Sequence, residues 1–255
     1  MAVCLLLIDN EWSISAGTLV ATSEAAAMPA SLTQVPERTK PWRSLSQTAD
    51  QVLTRDLGSG RAVTYVAVAN VRLQNGGSLK VYQGGTGGAP AWSLVATFPA
   101  QDPDTRMAVC TFATITARHW KLEFVNGVPA TPDYAECGYV GLGTAFSPTR
   151  ACVVPVPWQP VDPSVKSSSV DGQQSYTTRT IYAAGAFLFR AINESDLTSF
   201  RSLYRSLGRK TPYFFSMDSS LGNQQWLMRI DSGLRVERRH VPGRYDLSYS
   251  WEEAR

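Results

Sequence analysis

The chain has no long apolar run, little histidine and no closely spaced cysteine pair. Each shortage removes a class of function. No segment approaches the ~20 apolar residues that a bilayer-spanning helix requires. The opening MAVCLLLIDNEW has an apolar stretch only at residues 2–8, with no Lys or Arg ahead of it and Asp9 directly behind. An export signal needs a basic lead and a small-residue cleavage site, so residues 2–8 are expected to be a buried strand. Cys4, Cys110, Cys137 and Cys152 are far apart, none belongs to a C-x-x-C pair, and neither His119 nor His240 stands at ligand spacing from them. Zinc and iron–sulfur sites normally start from such a local pair. Buried free thiols, as in a protein assembled in a reducing cytoplasm, are the expectation. No cofactor is implied.

Catalytic patterns are missing as well. Serine hydrolase chemistry needs a histidine between a nucleophile and an orienting acid, but His119 and His240 have no G-x-S-x-G partner. The neighbouring carboxylates Asp102 and Asp104, and Glu252 and Glu253, lie in loop or terminal surroundings and carry no glycosidase signature. QDPDT (101–105) gathers oxygen ligands that would suit Ca²⁺ and nothing more specific. The glycines at 84–88 lack the Gly-Lys-Ser/Thr ending and following helix of a phosphate loop, so a flexible hairpin tip is expected. Enzymatic activity is not.

Charge is balanced. The 24 basic and 21 acidic residues give +3, split as 11 against 11 up to Arg150 and 13 against 10 beyond it. No concentrated basic field marks a nucleic-acid binder.

What remains is strand signal. From residue 51, apolar and β-branched runs recur between Gly/Pro turns: 63–73, 78–83, 92–100, 107–115, 118–127 and 136–146. In RHWKLEFVNG, His119, Lys121 and Glu123 share one face, and Trp120, Leu122 and Phe124 the other. This pattern predicts an antiparallel sandwich rather than βαβ units. Upstream, SEAAAMPASL suggests a helical turn before Pro29, and Trp42 sits in a Pro-broken loop, where a tryptophan is expected to anchor the loop onto the core rather than serve a ligand. Five prolines between 148 and 163, then a Ser-rich stretch, mark 147–175 as a linker or arm. Beyond it, 175–192 reads as a long strand or a hairpin bent near Ala184-Gly185. The one helix is expected at about 194–207, capped by Asn193 or Ser195 and stopped by Gly208. Its apolar stripe is Leu197, Phe200, Leu203, Tyr204 and Leu207, and Arg201, Arg205 and Arg209 form a basic ridge. Strands follow at 213–218, 225–233, 234–242 and 244–254.

Three pieces carry a family resemblance: TLVATSEAAAMPASL with KPWRS, VLTRDLGSGRAVTYVAVANVRL, and ITARHWKLEF. Together they resemble the discoidin-like, galactose-binding-like jelly-roll domains, over roughly residues 10–145. Joined to the YVGLGTAFSP exit, the Pro-rich crossing and a strand–helix–strand unit ending in WEEAR, the chain resembles minor or distal tail-tip proteins of long-tailed bacteriophages. The resemblance implies a mainly β fold: an antiparallel jelly-roll β-sandwich at 1–146, and an α+β tail-tube-like half-barrel at 176–255 with which residues 2–8 can pair. It implies a homo-oligomeric ring around the DNA and tape-measure channel of a virion tail assembled in the host cytoplasm. Its partners would be its own copies and the tail-tube, tape-measure and hub or baseplate proteins. Phe187, Phe189, Arg201, Arg205 and Arg209 are the candidate ring-interface residues. The alternative is a carbohydrate-binding module of a receptor-binding or cell-wall-targeting protein, with a host surface glycan as partner and Trp42 and Trp92 as its candidate aromatic platform.

Overall fold

The computed structural model describes residues 5–7, 10–14, 17–36, 40–45, 49–73, 76–99, 106–127, 134–153, 156–168, 174–217 and 225–254. Cys4, Asp9 and QDPDT lie outside them. The chain is mainly β, its sheets are antiparallel, and it forms two compact units. The first comprises Met1–Pro148, Tyr213–Leu227 and Ala254–Arg255, and the second Thr149–Pro212 and Met228–Glu253. The stretch expected to be continuous from 176 to 255 is therefore shared: residues 213–227 belong with the first unit.

In chain order the first unit contains β1 (Leu5–Leu7), α1 (Glu11–Ile14), β2 (Leu19–Ala21), a 3-10 helix (Ala30–Gln34), β3 (Trp42–Arg43), β4 (Gln51–Ala69), β5 (Ser78–Gln83), β6 (Ser93–Thr97), β7 (Met107–Val125), β8 (Glu136–Cys137), β9 (Val140–Gly143) and β10 (Ala145–Phe146). The helical turn expected before Pro29 follows it instead. Proline lacks an N–H and has a fixed φ, so it suits the position ahead of a helix better than its interior.

β4 and β7 form one long antiparallel ribbon, shifting register between Asp56 and Arg61 and between Val63 and Tyr65. Its first half pairs with β2 and β5, and its second half with β9. The two strands expected at 107–115 and 118–127 are thus one, and Asp56-Leu57-Gly58 opens a bulge within β4. Bulges let a strand bend without ending. Val63, Val66 and Val68 enter one core cluster with Trp42, Trp120, Leu122 and Phe124. Tyr65, Ala67 and Ala69 enter another with Leu5, Leu7, Phe214 and Leu227. Burial on both faces explains the nearly unbroken apolar sequence there. As expected, residues 5–7 form a buried strand; β1 pairs with β10 and with β15 (Tyr213–Ser216).

The second unit contains β11 (Trp158–Val161), β12 (Val165–Ser168), β13 (Gln174–Thr177), β14 (Tyr182–Ile192) and α2 (Glu194–Leu207). These are followed by the end of β16 (Gln225–Ile230), then β17 (Arg235–Arg238) and β18 (Tyr245–Glu253). β14 lies between β11 and β18, and β18 pairs with β16 and β17 along different parts of its length. The break in 175–192 falls at 178–181, not at Ala184-Gly185, which lies inside β14. The helix stands where its signals place it. The Asn193 side chain accepts the Asp196 N–H at 2.7 Å, and Gly208 ends it at φ +57. Leu197, Phe200, Leu203 and Leu207 are buried, with Phe200 on Phe189 at a ring separation of 4.8 Å.

Candidate functional site

The site is assembled on one partly covered face of β5 and β7 in the first unit, where the Lys121 and Glu123 side chains are each 16% exposed. Alternation puts Lys80 and Tyr82 on one face of β5, and Lys121 and Glu123 on one face of β7. The register sets Tyr82 opposite Lys121 and Lys80 opposite Glu123. On the far side of β7, Trp120, Leu122 and Phe124 are buried, which fixes the outward direction of their neighbours.

The β5–β6 connection delivers the aromatic partner. It is a hairpin link, as expected for the glycine run, but it is tied down rather than loose. The Gly84 N–H donates to the His119 carbonyl at 2.8 Å, and the Arg118 N–H donates to the Gly85 carbonyl at 2.8 Å. His119 is buried, and its Nε2 donates to the Gly87 carbonyl at 2.8 Å, a structural role. A β-carbon at Gly84 would stand 2.6 Å from Pro90 Cβ, 2.9 Å from His119 Cβ and 3.1 Å from the Trp92 ring. Only glycine lets the loop fold over this closely, and the fold brings Trp92 to the face of β5 and β7.

Lys121 Nζ then stands 3.9 Å from the centre of the Tyr82 ring and 5.7 Å from that of Trp92. It donates to Glu123 Oε1 at 3.2 Å, and the Tyr82 hydroxyl donates to Glu123 Oε2 at 2.6 Å. Burial opposes charge on Glu123, but Tyr82 and Lys121 outweigh it and hold the carboxyl below its ordinary pKa. The hydrogen bond to Glu123 pushes the Tyr82 phenol up to about 12. Glu123 is thus held ionised, as an acceptor and not as a proton donor. Beside the loop, Asp56 grips Arg118 with both oxygens, at 2.7 and 2.8 Å, and takes the Gly58 N–H at 2.7 Å. The cluster offers two half-buried aromatic rings, an ammonium group and a carboxylate. Such a surface can stack an apolar ring face and exchange hydrogen bonds with hydroxyls at its edge.

Of the two candidate platform residues, only Trp92 belongs here. Trp42 has 0% exposure; it packs on Phe124 at 5.2 Å and donates its indole N–H to the Ser23 carbonyl at 3.2 Å. It anchors the core and presents no face to a ligand. In the second unit Phe187 and Phe189 are also buried, against Tyr249 and Trp251, and provide no interface surface. Their positions in β14 point them into the core on alternate residues. Arg201, Arg205 and Arg209 are exposed, and Arg209 meets Asp231 at 3.3 Å. His240 is exposed. Cys110, Cys137 and Cys152 are buried free thiols, and burial pushes Cys110 up to about 11. Among the described residues no three His, Cys, Asp or Glu side chains gather as metal ligands, and no helix is long and apolar enough to cross a membrane. Sequence reasoning put Lys121 and Glu123 on one face but missed Tyr82, whose meeting with them depends on strand register.

No family model matches the chain, and no curated protein matches it. Among solved structures, it is similar to chitosan-binding module 1 of a chitosanase/glucanase from Paenibacillus sp. IK-5. That match has 21% identity and a TM-score of 0.45, and covers 53% of this chain and 99% of the module. It is similar to a family 32 carbohydrate-binding module of C. perfringens in complex with galactose, at 20% identity and a TM-score of 0.42, over 55% and 98% of the two chains. A fucosidase from Ruminococcus gnavus matches at 13% identity and a TM-score of 0.46, over 54% of this chain and 27% of its own.

Proposed function

We propose that the first unit is a non-catalytic carbohydrate-binding module that holds a glycan against Trp92 and Tyr82. The observation that carries this reading is the convergence of both half-buried rings with Lys121 and an ionised Glu123 on one sheet face. Sugar rings have an apolar C–H face and a hydroxyl rim, and this surface matches both. The test is a glycan array with the whole protein, followed by calorimetry on the glycans captured. Trp92→Ala and Glu123→Gln should each weaken binding by about tenfold or more; Trp92→Ala should leave the thermal unfolding curve nearly in place, and Glu123→Gln should lower it only modestly. A blank array, or a Trp92→Ala variant that binds as the native protein does, overturns the reading.

A second reading is a ring-forming structural subunit of a long-tailed phage tail tip, with tail-tube, tape-measure and baseplate proteins as neighbours. It is favoured by the second unit's β12–β13 hairpin, which pairs with no other strand among the described residues. Nearby apolar side chains stand in solvent: Trp158 at 59% exposure, Val165 at 49% and Ile181 at 56%. A lone two-stranded hairpin is marginally stable in water and gains from a partner. Light scattering on the whole protein should give a closed oligomer that is lost when residues 164–178 are replaced by a short Gly/Ser link. A monomer at every concentration removes this reading.

A further inference from the structure

In the second unit a cleft of about 370 Å³ opens on the sheet face opposite Phe187, Phe189, Leu247 and Tyr249. Leu188 and Arg190 come from β14, Asp246 and Ser248 from β18, and Arg235, Glu237 and Arg239 from β17 and the residue after it. Leu188 pairs with Ser248, which pairs with Arg235, and Asp246 pairs with Glu237. The lining is therefore three neighbouring strands presenting one face. Three guanidinium groups stand against two carboxylates there, an excess of one positive charge.

The two carboxylates are already engaged. Asp246 Oδ1 accepts Arg239 Nε at 2.7 Å and the Ala191 N–H at 2.8 Å, and Glu237 pairs with Arg235 at 2.7 Å. The Ala191 contact staples a bulge. β14 shifts register between Phe189 and Ile192, and Ala191 sits at φ +54, a left-handed conformation that an alanine adopts only under constraint. Arg244 Nη1 holds the other side of the bulge by donating to the Ala191 carbonyl at 3.3 Å. A bulge of this kind re-aims the residue beside it. That residue is Arg190, an exposed guanidinium with no direct ion pair among the described residues, which acts on Asp246 only through its charge at longer range.

The geometry points to an oxyanion-binding site in this cleft. Arg190 is the fork with no carboxylate in direct contact, Arg239 and Ser248 supply further donors, and Leu188 floors the apolar side. A guanidinium fork binds phosphate or carboxylate oxygens in pairs, and does so best when its charge is not already satisfied. The site takes a phosphate or carboxylate group, free or carried on a larger molecule, and it is independent of the glycan surface in the first unit.

The test is calorimetry on the whole protein with inorganic phosphate and, separately, with citrate, at low and at physiological salt. At least one probe should bind, and the tighter one identifies whether the site prefers phosphate or carboxylate. Arg190→Gln should weaken binding roughly tenfold, Arg190→Lys should restore part of it, and Arg201→Gln on the helix should leave it within about twofold. Arg190 makes no hydrogen bond in the Asp246 staple and acts on that carboxylate only through its charge, so Arg190→Gln should lower the unfolding temperature only slightly. The proposal is overturned if neither probe binds. It is equally overturned if Arg190→Gln binds normally, or if Arg201→Gln loses as much, which would mean diffuse attraction. Trp92→Ala should leave phosphate and citrate binding unchanged, so failure of the glycan reading does not decide this one.

Discussion

Asp56 and Arg118 face each other across the β4–β7 ribbon, joined by two hydrogen bonds of 2.7 and 2.8 Å at the register shift. Arg118, first among the causes, holds the Asp56 carboxyl well below the ordinary carboxylate range, against a smaller opposing effect of burial. A depressed carboxylate contributes stability that is fully present above its unfolded pKa of about 3.9 and is lost as pH falls through the folded value. The protein should therefore lose unfolding temperature steadily below about pH 4. Asp56→Asn should be less stable at neutral pH and show a shallower acid limb in melts taken across that range.

Gly84→Ala should destabilise the first unit by about 1–3 kcal/mol, because the new methyl meets Pro90, His119 and the Trp92 ring and the loop must shift. The same shift should move the indole off the face of β5 and β7. Urea unfolding measures the first effect, and loss of glycan affinity at unchanged Glu123 the second.

Trp42→Ala and Trp92→Ala should separate core from surface. Removing the fully buried Trp42 should cost about 3–5 kcal/mol. Trp92→Ala should change stability far less and act on ligand affinity. If equilibrium unfolding ranks the two variants in the opposite order, the assignment of Trp92 to the surface site is wrong.

Phe187→Ala and Phe189→Ala should each cost about 3–5 kcal/mol of stability in the second unit. Arg201→Ala, on exposed helix surface, should stay within about 0.5 kcal/mol. Chemical denaturation followed by far-ultraviolet circular dichroism reads both.

Asn193→Ala removes the side-chain acceptor for the Asp196 N–H and should cost about 1 kcal/mol. Asn193→Ser should recover most of it, because serine also caps.

Local rules made much of the fold legible. The helix at Glu194–Leu207 follows from Asn193, Gly208 and a stripe at helical spacing, all of which act within a few residues. The strand Ser78–Gln83 was readable from the glycines at either end. Burial of Trp120, Leu122 and Phe124 followed from alternation. The same rules failed where distance along the chain intervened. Residues 107–125 look like two strands because their apolar pattern changes, yet the pattern changes only because the ribbon bends and exchanges neighbours. Trp42 is buried, as expected of a tryptophan anchoring its loop on the core, but nothing near it in sequence announces that Phe124 covers its ring.

By itself, the sequence determined a mainly β chain, the capped helix at Glu194–Leu207, and a shared face for Lys121 and Glu123, since each depends on periodicity or on turn chemistry read within one segment. Tertiary structure alone decided that Tyr213–Leu227 completes the first unit and that Phe187 and Phe189 are core. It also decided that Trp92, Tyr82, Lys121 and Glu123 meet. Those outcomes depend on strand register and on one loop closing over Gly84. A one-residue slip would reverse every face while leaving the local pattern unchanged.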